Sequence, residues 1–110
     1  MDLLLEEIVS DLTEELQHEP TFNADILRAK VKSAIREVRQ KRMYQNVEYD
    51  ETQISSDLQN YYSVIRNVSL YDYNMLGAEG ETSHDENGTK RAYIKRDTLF
   101  SDVIPFVKMF

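Results

Sequence analysis

Apolar residues at Leu5, Ile8, Val9, Leu12 and Leu16 recur at helical spacing, with acids on the opposite face. This pattern predicts a first helix over Asp2 to Gln17. Glu19-Pro20 ends it, because the residue before a proline is driven out of the helical region. A second stripe, Leu27, Val31, Ala34, Ile35 and Val38, predicts a helix opened by Asn23, whose side chain suits an N-cap. A third helix is expected to start near Asp50 to Thr52 and to run as one long element to Gly77, the expected left-handed C-cap. Its main stripe is Ile54, Leu58, Tyr61, Tyr62, Ile65 and Leu76. A second stripe, Val64, Val68, Tyr71 and Met75, is rotated about 100° from the first. A helix with two apolar sides calls for two partners, and in a small chain one of them can come from another molecule.

Residues 78–96 are polar. Asn87-Gly88 suits the positive φ angles of a tight turn, so Thr82 to His84 pairing with Lys90 to Tyr93 is the hairpin to look for. Loops of this length in compact domains usually carry function. Asp97 is placed to cap a short last helix, Thr98 to about Ile104, which Pro105 would end. The tail from Phe106 to Phe110 is apolar. The expectation is a mainly α fold in a single domain over residues 1–110: a compact bundle of about four helices, with one long central helix and a long polar loop before a short C-terminal helix.

Composition narrows the function classes. The chain has 110 residues, 30% charged and 41% hydrophobic, with three glycines and two prolines, as a globular helical domain would. It has no cysteine, which removes disulfides and thiolate chemistry. No secretory pattern opens it and no stretch approaches the roughly 20 apolar residues of a membrane span, so a soluble intracellular protein is expected. The net charge of −7 argues against nonspecific DNA binding by the whole chain. That charge is segregated. Residues 1–19 hold seven acids and no Lys or Arg, and residues 24–44 hold seven bases and two acids. Residues 45–88 are acidic again and residues 89–110 basic. Alternating blocks suit segments that face each other, within a chain or between copies.

Candidate chemistry is thin. Ser83-His84-Asp85 names the members of a hydrolase triad, but neighbouring loop side chains cannot easily act as nucleophile, base and orienter together. His84, Asp85 and Glu86 lack a second ligand cluster for a metal. No catalytic, cofactor-binding or metal-binding residue is therefore assigned, and no enzyme is expected. Arg28, Lys32, Arg36 and Arg39 form a row on the second helix. The row suits a solvated face, an ion-paired interface, or contact with phosphate. Asp72 lies in the main stripe of the third helix, where an unpartnered carboxylate would be costly. A structural role, anchoring backbone N–H groups after Gly77, is expected.

The chain resembles the small head–tail connector (adaptor, or DNA-packaging) proteins of long-tailed bacteriophages over roughly Asp25 to Phe106. The resemblance is carried by the helix from Ile26-Leu27 to Val38 and by Asp57-Leu58-Gln59-Asn60-Tyr61-Tyr62. It continues through Leu70-Tyr71-Asp72-Tyr73-Asn74, Gly77-Ala78-Glu79-Gly80-Glu81, His84 to Gly88, and Ile104-Pro105-Phe106. It implies a helical bundle without enzymatic activity or cofactor, assembling as a ring, nominally of twelve copies. Such a ring docks under the portal at the capsid vertex, seats the next connector or tail protein and lengthens the DNA exit channel. The implied location is the head–tail junction of the virion, with no membrane partner.

On this reading the candidate interface residues are Arg28, Lys32, Arg36 and Arg39, then Val64, Val68, Tyr71 and Met75. His84, Asn87 and Gly88 of the loop and Phe106 and Phe110 of the tail complete the set, with Asp72 and Gly77 structural. The alternative is a small nucleic-acid-binding regulator acting through the basic helix 24–44.

Overall fold

A computed structural model describes residues 2–78 and 96–107. The order of elements is α1 (Asp2–Leu16), α2 (Ala24–Arg42), a 3-10 turn (Tyr44–Asn46), α3 (Glu51–Gln59) and α4 (Tyr62–Ala78). Residues 96–99 are also helical. The fold is mainly α, as the hydrophobic periodicity predicts, and no strand occurs among the described residues. The hairpin expected at Thr82 to Tyr93 lies outside them.

Two helix starts are made by the side chains the sequence supplies. Asn23 has an extended backbone, and its Oδ1 accepts the Ile26 N–H at 3.1 Å. Asp50 and Gln53 form a reciprocal capping box: Asp50 accepts the Gln53 N–H at 2.8 Å, and Gln53 accepts the Asp50 N–H at 2.9 Å. The end of α2 is less expected. Met43 takes φ 58° and ψ 51°, a left-handed conformation that costs a side-chain-bearing residue about 1–2 kcal/mol. That turn is what sends the chain across the end of the bundle.

Three expectations are corrected. The single long helix from Asp50 to Gly77 is two helices, broken at Asn60–Tyr61. Here the N–H groups of Asn60 and Tyr61 reach only three residues back, to Asp57 and Leu58 at 3.0 and 2.9 Å; the Tyr61 carbonyl then accepts the Ile65 N–H to open α4. The break lets Asp57 turn toward the end of α2 while α4 packs along α1 and α2. Gly77 is helical rather than a left-handed cap, because α4 continues to Ala78. The last helix ends earlier than Ile104: among the described residues 96–99 are helical, a turn covers 100–102, and 103–107 have no regular secondary structure. Pro105 keeps Ile104 out of the helical region, so the helix does not resume after the turn.

The core gathers around α2, against which α1, α3 and α4 all pack. Leu4, Ile8 and Leu12 of α1, Leu27, Val31 and Val38 of α2, Leu58 of α3, and Ile65 and Val68 of α4 are essentially inaccessible to solvent. Each such side chain contributes roughly 1.5–3 kcal/mol by burial. Phe100 and Val103 from the C-terminal segment complete this core. Val68, expected on a second, intersubunit face, is therefore a core residue. At 100° per residue it stands only about 60° from Ile65 on α4, close enough to share its burial.

Candidate functional site

The end of the bundle beyond α2 is built around a charged residue on an apolar stripe. Arg42 follows Val38 at the next helical repeat, so its guanidinium is carried inward and must be partnered. Its Nε and Nη2 donate to the two carboxylate oxygens of Asp57 at 2.8 and 2.9 Å, a bidentate pair with side chains only 11% and 14% exposed. Tyr44 donates its hydroxyl to the same carboxylate at 2.6 Å. Burial works against the charge on Asp57, but the bonds from Arg42 and Tyr44 outweigh it and hold its pKa below the ordinary carboxylate range. Burial, reinforced by the bond to Asp57, pushes the Tyr44 phenol well above its ordinary value.

This cluster holds the C-terminal segment as a strap. Arg42 Nη1 donates to the Ile104 carbonyl, and the Phe106 N–H donates to the Arg42 carbonyl at 2.8 Å. Asn46 donates its amide to the Phe106 carbonyl at 2.8 Å. The Phe106 ring lies 3.9 Å under the Arg42 guanidinium and meets the rings of Tyr44 and Tyr49 at 5.9 and 5.3 Å. Phe106 is thus seated on its own chain. The flanking Ile104 and Val107 are not: they are 66% and 75% exposed, held outward by the same backbone bonds.

The return of the chain to the bundle is fixed by Arg96. It donates to both oxygens of Asp72 at 2.8 and 3.0 Å and to Glu37 Oε2 at 3.0 Å, and these bonds raise its pKa. Among the described residues Asp72 is held by this guanidinium; the backbone N–H groups expected to bind it after Gly77 lie, beyond Ala78, outside them. The pairing follows from topology: the helical turn at 96–99 brings a cation onto the face where Asp72 lies.

The charge blocks are partly paired within the chain. Arg28 bonds Glu6 across α1 and α2, and Arg39 bonds Glu51 at 2.6 Å. Arg66 of α4 donates to Asp11 at 2.6 Å and to Glu15 at 2.8 Å, holding the Asp11 carboxyl below its usual range. Two surfaces flank α1. Between α1, α2 and α3 lies a groove of about 660 Å³ with an apolar floor of Leu5, Ile35, Tyr44 and Ile54, rimmed by Lys32, Arg36 and Arg39. On the α4 side of α1 lies an acidic surface formed by Glu6, Glu7, Asp11 and Glu14 with Tyr62.

Of the predicted interface residues, the groove brings together Lys32, Arg36 and Arg39, while Arg28 turns to Glu6. Val64, Tyr71 and Met75 are half-buried on α4. His84, Asn87, Gly88 and Phe110 lie outside the described residues. The strap cluster of Arg42, Tyr44 and Asp57 was missed by sequence reasoning, although Arg42 standing four residues after Val38 on the buried stripe was a usable signal. Among the described residues no group of three or more His, Asp or Glu could hold a metal ion, and no helix is long and apolar enough to cross a membrane. No protein-family model matches the chain, and no curated protein or solved structure matches it either.

Proposed function

We propose that the chain is a subunit of a bacteriophage head–tail connector, a structural protein that assembles as a ring, docks on the portal at the capsid vertex and extends the DNA exit channel. The observation that carries this reading is the strap. Ile104-Pro105-Phe106 is one of the segments on which the resemblance rests, and it is clamped by Arg42, Asn46 and the aromatic rings with Ile104 and Val107 turned outward. A rigidly presented aliphatic pair suits a protein that seats another protein, since little ordering cost remains when the partner arrives. The portal, or the next connector or tail protein, is the partner assigned to this end.

The test is to mix the chain with portal particles of its own phage and image the complex. A ring of added density at the portal vertex is expected, weakened by Ile104→Asp with Val107→Asp. No density at the vertex overturns the reading. The nucleic-acid alternative keeps the exposed Lys32 and Arg36 of helix 24–44 but has Arg28 and Arg39 engaged with Glu6 and Glu51. Salt-dependent DNA binding lost on replacing Arg28, Lys32 and Arg36 would favour it instead.

A further inference from the structure

The groove and the outer face of α1 are complementary, and they lie on opposite sides of one helix. Leu5 forms part of the groove floor. At 100° per residue, Leu3, Glu7, Ser10 and Glu14 share a face centred about 170° from Leu5. That face is exposed throughout, and Leu3 at its N-terminal end is 69% exposed, a large aliphatic side chain turned to solvent beside two carboxylates. The groove offers the converse arrangement, with an apolar floor inside a rim of Lys32, Arg36 and Arg39.

We infer that the groove is the docking site for α1 of a second copy, with Leu3 entering over Ile35 and Ile54 and with Glu7 and Glu14 meeting Arg36 and Lys32. Two observations choose this occupant over an unrelated acidic helix. The chain itself supplies the matching charge, and the matching apolar residue is exposed at a helix position its own fold does not cover. Because the donor face and the acceptor groove are different patches, the contact is heterologous: each copy uses its α1 in one neighbour and offers its groove to the other. Such a contact propagates head to tail and closes into a ring when the rotation between copies allows it. The inference deepens the connector reading and rests on it for ring closure, but the contact itself is tested on the free chain.

The test uses sedimentation of the purified chain over a concentration series reaching roughly 1 mM, where a contact of only about −4 kcal/mol would register. The wild type is expected to self-associate beyond a dimer. Arg36→Glu, which spoils the groove, and the double variant Glu7→Lys with Glu14→Lys, which spoils the donor face, are each expected to stay monomeric. All the altered side chains are exposed, so circular dichroism should report unchanged folding. Mixing the two variants should restore association, because the intact donor face of one meets the intact groove of the other. A wild type that is monomeric throughout overturns the inference. So does a mixture that stays monomeric, or an Arg36→Glu chain that associates like the wild type. Portal imaging decides the connector reading separately: association without portal binding would leave this contact standing and sink that reading, and the reverse outcome would do the opposite.

Discussion

Asp57→Asn is the sharpest probe of how the C-terminal strap is held. The substitution keeps the shape of the side chain and removes the charge facing Arg42, whose side chain is 11% exposed. With the amide oxygen in the Oδ2 place it still accepts Arg42 Nε and Tyr44, but Arg42 Nη2 then faces an amide NH2 in place of its acceptor. Breaking a buried pair by removing one partner costs about 3–5 kcal/mol, because the remaining charge is stranded. Arg42 still bonds the Ile104 carbonyl and faces the Phe106 ring, so the lower end, about 3 kcal/mol, is expected. A chain of 110 residues has about 5–15 kcal/mol of stability in all, so this is a large fraction. At about 2.1 cal/mol/K of unfolding entropy per residue, it corresponds to a fall in Tm of about 13 °C, readable by far-UV circular dichroism. Amide exchange supplies the local readout. The Phe106 N–H, bonded to the Arg42 carbonyl, should lose protection more than the N–H groups of α1. Replacing both partners together, Arg42→Met with Asp57→Leu, should cost less than the two single changes added, the signature of a coupled pair. A loss under about 1 kcal/mol for Asp57→Asn, with Phe106 still protected, would refute the clamp.

The other predictions separate core, surface, backbone and titration effects. Leu12→Ala removes a fully buried side chain between α1 and the core and should cost about 3–5 kcal/mol in urea unfolding. Arg66→Ala should cost under about 1 kcal/mol at low salt and less at high salt, since its side chain and those of Asp11 and Glu15 are 25%, 42% and 49% exposed. Met43→Gly relieves the left-handed strain and should raise stability by up to about 1 kcal/mol; a clear loss would show that the Met43 side chain contributes more than the strain costs. Acid should weaken the fold through Asp57 and Asp11, both held below their unfolded values by Arg42 and Arg66 respectively. For such depressed carboxyls the stabilisation is complete above the unfolded pKa, near about 4, and is lost as pH falls through the folded values. Urea midpoints flat from neutral pH down to about 5 and falling steeply below about 4 are expected, with a shallower acid limb in Asp57→Asn.

What could be read in advance was local. The stripes of α1 and α2, the Asn23 cap and the start at Asp50 depend on residues within a few positions of one another, and all appear where the periodicity puts them. The break at Asn60–Tyr61 carries no such mark. Ile54, Leu58, Tyr61, Ile65, Val68 and Asp72 keep one helical phase across it, with neither glycine nor proline between them, so pattern alone favours continuity. The break is imposed from elsewhere, by the bonds that draw Asp57 to Arg42 and Tyr44. The partner of Asp72 was hidden for the same reason: Arg96 is 24 residues away in sequence and arrives only once the chain has folded back. The charge blocks are the intermediate case. Opposed segments were legible, and Glu6 and Arg28 join α1 to α2, yet Asp11 and Glu15 turn instead to Arg66 of α4. Glu7 and Glu14 on one side of α1, and Lys32 and Arg36 beyond the other, remain on the surface. Surplus charges that face away from each other in one molecule can pair between two, and that complementarity is the argument for the proposed groove contact.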